Sequence, residues 1–488
     1  MTEAVEGATI SKLYPAEADT LQERAGHETV VQAPTIEATR RAVSKLCGQA
    51  VHLLSSDGER ERTQRDALLA FAVRVLSAGL LYLTQIILAR WMGGSEYGIY
   101  VAVWTWVLIL GAMSHLGLNL ASIRLAPVYR ERGDFDGFRG LVRGVRLVAL
   151  GSGTVVMLAG LLGVWLFQDH IQNHFVLPLY LALVCIPLYA LTDVQDGLGR
   201  GNAWMSIALV PPYVLRPILL LASMFVANRA GLPMIAATAA GSAIVATWLA
   251  GVLQTLFLNR QLATVAAPGA RRSEYGTWLR TSLPLLVMMS ADLLLQNTDI
   301  LVVSRFMPPA DVGIYFAAGK TMALIMFVHY AVGSAVAHKF AALNARGDME
   351  GLRAFVKDAV NWTFWPSLAG ALVILALGRP LLWLFGPQFE TGYPVMAILV
   401  IGFLVRSAMG PAEYLLNMLG EQKLCAAVLL TAAIVNIGLN VLLVPKFGLV
   451  GAASATATSL VLAALANAAV VWHRLDIEVA IWKNVKRA

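Results

Sequence analysis

The chain has 488 residues, of which 58% are hydrophobic and 14% charged, with a formal net charge of +7 and a mean hydropathy of +0.67. Soluble domains carry about 25% charged residues, so the composition excludes a soluble fold and assigns most of the chain to contact with lipid. The three cysteines, Cys47, Cys185 and Cys425, are scattered, which excludes a disulfide framework or a cysteine metal site.

Residues 1–65 are polar and lack the compact apolar stretch of a cleavable signal peptide. They read as a flexible cytoplasmic tail, with a weak interfacial helix over 36–54 on Ile36, Val43, Leu46, Val51 and Leu54. Windows of about 20 apolar residues then mark about twelve membrane spans. The first lobe, 66–257, holds spans at 67–89, 99–122, 146–167, 176–193, 204–226 and 233–257. An inter-lobe cytoplasmic linker at 258–277 contains Ala267-Pro268-Gly269 and Arg271-Arg272. The second lobe, 278–472, holds spans at 281–304, 314–336, 360–378, 394–418, 424–444 and 450–472, and residues 473–488 form a cytoplasmic tail.

The connections alternate in charge. The first long loop carries Arg124, Arg130, Arg132, Arg139, Arg143 and Arg146, and the loops at 258–280 and 337–358 are similarly basic, whereas loops on the other side hold about one Lys or Arg each. The positive-inside rule therefore places both termini in the cytoplasm, and the net charge is a topology signal that requires no nucleic acid. Loops of at most about 25 residues leave no room for a catalytic or nucleotide-binding domain, and no Walker or dinucleotide motif is present. The chain reads as neither an enzyme nor an ATP-driven pump, and no cofactor is expected.

Half of the chain repeats the other. Arg90-x-Met92 with Gly98-Ile99-Tyr100 recurs as Arg305-x-Met307 with Gly313-Ile314-Tyr315, and Arg132-Gly133-Asp134 with Gly137 and Arg139 recurs as Arg346-Gly347-Asp348 with Gly351 and Arg353. Six spans per half give both halves the same orientation, related by a pseudo-twofold axis along the membrane normal. The expected fold is an all-α polytopic membrane protein of two parallel six-helix lobes around a central cavity.

Ionisable groups at membrane depth carry the chemistry of such a protein, because each is costly unless it faces water or a partner. Arg216, beside Pro211, Pro212 and Pro217, and Arg406 are both central to their spans and read as cavity-facing cations rather than structural pairs. Arg74 sits close enough to a span end to reach the headgroups as an alternative. Asp292, Gln296 and Asp299 share one helical face by their i, i+4, i+7 spacing. Lys320 lies at the depth of Asp299 on the returning helix, which sets up an ion pair that is either a structural staple or a switch coupled to protons or sodium ions. The repeat maps Asp292, Asp299 and Lys320 onto Ser77, Thr84 and Thr105, so charge is concentrated in the second lobe. His115 and His329 read as hydrogen-bonded core residues, Asn436 and Asn440 as helix glue, and Glu413 as facing a cytoplasmic vestibule.

The stretch Gly93-Gly94-Ser95-Glu96-Tyr97-Gly98-Ile99-Tyr100, the later Gly117-Leu118, Asp299, Ala310-Asp311-Val312-Gly313-Ile314-Tyr315, Asn417-Met418-Leu419-Gly420-Glu421-Gln422-Lys423 and Pro445-Lys446-Phe447-Gly448-Leu449-Val450-Gly451-Ala452 resemble the Wzx-type polysaccharide flippases. These belong to the multidrug/oligosaccharidyl-lipid/polysaccharide superfamily, and the resemblance covers about residues 67–472. It implies a MATE-like fold in a bacterial inner membrane that moves an undecaprenyl-diphosphate-linked oligosaccharide to the periplasmic leaflet for lipopolysaccharide, capsule or exopolysaccharide assembly. The implied partners are the lipid-linked oligosaccharide, membrane lipids and polysaccharide assembly machinery, with Arg216, Arg406 and Arg74 supplying cations for the diphosphate. Two alternatives stay open: an ion-coupled multidrug antiporter, which wants an acidic, aromatic cavity, and a membrane glycan polymerase or glycosyltransferase, which wants larger periplasmic loops.

Overall fold

A computed structural model describes residues 59–482, with side chains from Leu76 onward. The chain divides after Leu68. Most of the expected tail, its helix over 36–54, Cys47 and the side chain of Arg74 lie outside the described residues.

The described chain is helical throughout. In order it forms α1 (Glu59–Ser114), α2 (Leu118–Glu131), α3 (Phe135–Phe167), α4 (Asn173–Leu183), α5 (Ile186–Gly201) and α6 (Met205–Val210). A π-helical turn over Pro211–Leu215 leads into α7 (Arg216–Arg229), followed by α8 (Ala236–Val265) and α9 (Tyr275–Phe306). Then come α10 (Pro309–Ala345), α11 (Met349–Trp383), α12 (Tyr393–Ala408), α13 (Ala412–Met418) and α14 (Gln422–Leu475). Among the described residues, nine helical segments are long and apolar enough to cross a membrane, and the pair α4 and α5, bent by 47°, supplies a tenth span.

Two of the nine are hairpins. Gly93 in α1 (φ 77°, ψ 169°) and Gly448 in α14 (φ 57°, ψ −136°) have backbone angles that no helix contains. Gln85 Oε1 accepts from the Tyr97 hydroxyl at 3.0 Å, although in a straight helix residues twelve apart lie about 18 Å apart. Asn436 Nδ2 donates to Thr456 Oγ1 at 3.4 Å, a separation that would be about 30 Å along a straight helix. The chain therefore turns back at each glycine, where a side chain would strain the positive φ. Counted as two spans each, these hairpins bring the total to the expected twelve.

The repeated Arg-Gly-Asp joints have a local cause. Gly133 (φ 67°) and Gly347 (φ 69°) each end a helix in the left-handed conformation. The next residues, Asp134 and Asp348, cap the following helix by accepting from Gly137 N at 2.9 Å and Gly351 N at 2.8 Å. The matching arginines then grip the segment that leaves each lobe. Arg139 donates to Ala270 O and Ala267 O, both at 2.8 Å, and Arg353 donates to Asp476 Oδ2 at 2.7 Å.

At the opposite end of the helices the two repeats meet directly. A Cβ built on Gly98 would lie 1.7 Å from Pro309 O and 3.0 Å from Gly313 N, and one on Gly313 would lie 2.9 Å from Gly94 O. Beside this seam, Arg90 donates to Leu384 O at 2.7 Å and Trp383 O at 2.6 Å. Glu96 Oε2 accepts from Ala236 N at 2.7 Å and so caps the start of α8.

Candidate functional site

Each lobe holds a polar cavity at membrane depth. The first, of about 60 Å³, is lined by Thr84 and Gln85 of α1, Tyr100 and Trp104 beyond its turn, Arg216 of α7 and Thr247 of α8. Pro211 and Pro212 have no N–H to donate, and the chain adjusts by a π turn in which Arg216 N bonds to Pro211 O. The carbonyls that the two prolines leave without a helical partner, Ile207 O and Ala208 O, accept from Gln254 Nε2 at 3.4 and 3.5 Å, and Arg216 lines the cavity.

Arg216 is half-buried, and its guanidinium carbon lies 5.6 Å from the Trp104 ring centre and 5.4 Å from that of Tyr189. Among the described residues it forms no salt bridge. Cation–π contacts contribute about 2 kcal/mol when desolvated, less than the several kcal/mol it costs to withdraw an ion from water. The aromatic walls orient the cation without neutralising it.

The second cavity, of about 130 Å³, lies between α9, α10, α12, α13 and α14 and brings together Asp292, Gln296, Asp299, Lys320, Arg406 and Glu413. The expected shared face of α9 is present: Gln296 Nε2 donates to Asp292 Oδ2 at 2.8 Å, and both residues are exposed to the cavity. Asp299 is buried deeper, where its carboxylate accepts from the Tyr315 hydroxyl at 2.6 Å, Thr456 Oγ1 at 3.1 Å and Ile300 N at 2.8 Å.

Two expectations are corrected here. Asp299 and Lys320 form no direct salt bridge: Tyr315, Thr456 and Ile300 N bond the carboxylate, and the exposed Lys320 ammonium lies 4.8 Å from the Phe316 ring centre. Arg406 is not a free cation: its Nη2 donates to both Glu413 oxygens at 3.0 Å. Glu413 accordingly lines the same cavity as Arg406. Sequence spacing concealed this pair because α12 ends at Ala408, Gly410 takes φ 62°, and α13 starts only at Ala412. With Asp292, Asp299 and Glu413 against Lys320 and Arg406, the second cavity holds more carboxylates than cations.

The mapped positions of the first lobe are buried and quiet. Thr84 and Thr105 bond to helix carbonyls four residues back, Leu80 O and Val101 O, at 2.8 Å, and Ser77 is buried. His115 meets the expected core role by bonding Asp193 Oδ2 at 3.0 Å. His329 does not: both ring nitrogens are buried without a hydrogen bond, and the ring packs against Tyr330, Phe403 and Tyr414. Asn436 Nδ2 donates to Thr456 Oγ1 at 3.4 Å across the α14 hairpin, while Asn440 Nδ2 bonds Asn436 O at 3.0 Å within one arm.

A further space, of about 470 Å³, is an apolar groove near the Gly98 seam. Trp106, Phe167 and Phe175 wall it, and Leu301, Ser304 and Arg305 of the other lobe close its side.

With this geometry in hand, the comparisons are specific. A family model described as polysaccharide biosynthesis protein matches residues 64–337, and a MatE model matches residues 284–442. A probable low-salt glycan biosynthesis flippase of Haloferax volcanii is 20% identical over 400 residues, covering 81% of this chain and 80% of its own. An inward-facing multidrug resistance MATE transporter of the MOP superfamily superposes with a TM-score of 0.68 at 16% identity, covering 82% of this chain and 94% of the transporter. The lipid II flippase MurJ in an inward closed conformation gives 0.65 at 14% identity, covering 83% and 87%.

Proposed function

The chain belongs to the polysaccharide biosynthesis protein family, within the MOP superfamily of membrane transporters, and from that premise we propose that it flips an undecaprenyl-diphosphate-linked oligosaccharide across a bacterial inner membrane. The reading includes both termini in the cytoplasm, a cytoplasmic linker at 258–277, and a product destined for lipopolysaccharide, capsule or exopolysaccharide assembly.

One observation carries the substrate class. Arg216 is a cavity cation walled by Trp104 and Tyr189 and without a salt bridge among the described residues, which leaves its charge unneutralised and open to phosphate oxygens. The first cavity offers Arg216 to the diphosphate, Arg406 in the second is a further cation for it, and Asp292, Gln296, Asp299 and Lys320 couple transport to protons or sodium ions. Arg74 is a further cation for the headgroup. The apolar groove beside Arg305 is a place for the prenyl chain outside the cavities. Flipping of a polyprenyl-diphosphate oligosaccharide into dithionite-accessible form in proteoliposomes, lost in Arg216→Gln, tests the reading.

The excess of carboxylates in the second cavity favours one other reading, an ion-coupled antiporter of cationic drugs. Ethidium export that depends on Asp292 and is indifferent to Arg216 would select it.

A further inference from the structure

The Arg406–Glu413 pair has a geometry that suits exchange better than permanent attachment. Only Nη2 of Arg406 is engaged, while Nε and Nη1 make no hydrogen bond among the described residues and are not sealed from the cavity. The side chains are 13% and 23% exposed, so cavity water reaches both. Glu413 comes from a separate short helix, beyond a break in which Gly410 adopts φ 62° and Pro411 precedes α13. The two charges therefore sit on opposite sides of a bend and separate without unwinding a helix.

We infer that Glu413 is an internal stand-in for the substrate's phosphate: it holds Arg406 in the empty transporter, yields it to an incoming diphosphate, and reclaims it to release the lipid. This rests on the flippase reading above. A diphosphate carries more charge than one carboxylate and engages a guanidinium fork through two oxygens, whereas Glu413 shares a single nitrogen. The displaced Glu413 keeps contact with cavity water, and Asp292 and Lys320 face the same space. When the lobes rearrange, Glu413 competes again for Arg406, so the lipid leaves without an unpaired cation remaining at membrane depth, which would be costly.

The exchange predicts a split between affinity and turnover that a structural salt bridge does not. In nanodiscs, Glu413→Gln binds farnesyl diphosphate about tenfold more tightly than the wild type, and inorganic pyrophosphate likewise, because a competing anion has been removed. The same variant flips lipid-linked oligosaccharide about tenfold more slowly, since release has lost its displacing group. Arg406→Gln binds more weakly, and the double variant follows Arg406→Gln. Glu413→Asp, with a shorter arm and the charge retained, lies between wild type and Glu413→Gln, and it carries the test if Glu413→Gln fails to fold. Unchanged or weaker binding by a folded Glu413→Gln or Glu413→Asp overturns the exchange alone, as does tightening confined to the prenyl ligand. A wild type that binds neither ligand overturns the flippase reading as well.

Discussion

Gly98 and Gly313, equivalent residues of the two repeats, face each other across the lobe boundary, with a Gly98 Cβ falling 3.0 Å from Gly313 N and 1.7 Å from Pro309 O. Small residues at helix interfaces let backbones approach within contact distance, and here the self-contact of the repeat marks where the pseudo-twofold axis leaves the helices. The repeated Gly-Ile-Tyr is thus where the two repeats meet backbone to backbone.

A methyl group at this seam has no room, since its obstacle is backbone and not a flexible side chain. Gly98→Ala is expected to hold this end apart and to cost about 1–3 kcal/mol of stability. Cysteines placed at 94 and 310 are expected to react with a membrane-impermeant maleimide faster in Gly98→Ala than in the wild type, and equal rates would show that the seam does not close the cavity.

The buried Asp299 carboxylate depends on Tyr315. Tyr315→Phe removes a 2.6 Å bond from a charged acceptor, a loss of about 1.5–3 kcal/mol. It is expected to lower the melting temperature by several degrees, while Lys320→Met leaves it nearly unchanged because Lys320 is exposed and unpaired with Asp299. The reverse order would restore the ion pair that the sequence suggested.

Outside the membrane, the 266–274 segment is clasped to the first lobe by acid groups. Gly137 N, and then the Arg272 guanidinium, hold the Asp134 carboxyl below its ordinary range, and the Tyr129 hydroxyl and Arg272 do the same for Glu274. A carboxylate with a lowered folded pKa stabilises the fold above its unfolded pKa and loses that contribution as pH falls through the folded value. Proteolysis at Arg271 is therefore expected to stay slow at neutral pH and to quicken below about pH 4, where free carboxyls begin to protonate. Asp134→Asn is expected to quicken it at neutral pH, and a pH-independent rate would contradict the clasp.

Much of this architecture was legible in the sequence because hydropathy and lipid thickness determine it together. The twelve spans follow from windows of apolar residues, and Gly93 and Gly448 mark the turns that merge four of them into two long helices. The charged residues of the second lobe were legible as a group, since one helical face carries Asp292, Gln296 and Asp299. Their partners were not. Equal depth suggested Lys320 for Asp299, yet Tyr315, already visible in the repeated Gly-Ile-Tyr, takes that carboxylate. The Arg406–Glu413 contact crosses Gly410-Pro411, a dipeptide that ends helices, where i, i+7 reasoning on a continuous span no longer applies.

The central claim is that Arg216 serves an anionic, lipid-linked glycan. Its most direct test is flipping of a fluorescent polyprenyl-diphosphate oligosaccharide by purified protein in proteoliposomes, comparing wild type, Arg216→Lys and Arg216→Gln at equal reconstitution. The wild type is expected to bring inner-leaflet label within reach of dithionite, Arg216→Lys to retain a fraction of that rate because it lacks the planar fork, and Arg216→Gln to fall to the level of empty vesicles. Wild-type flipping that persists undiminished in Arg216→Gln would contradict the account.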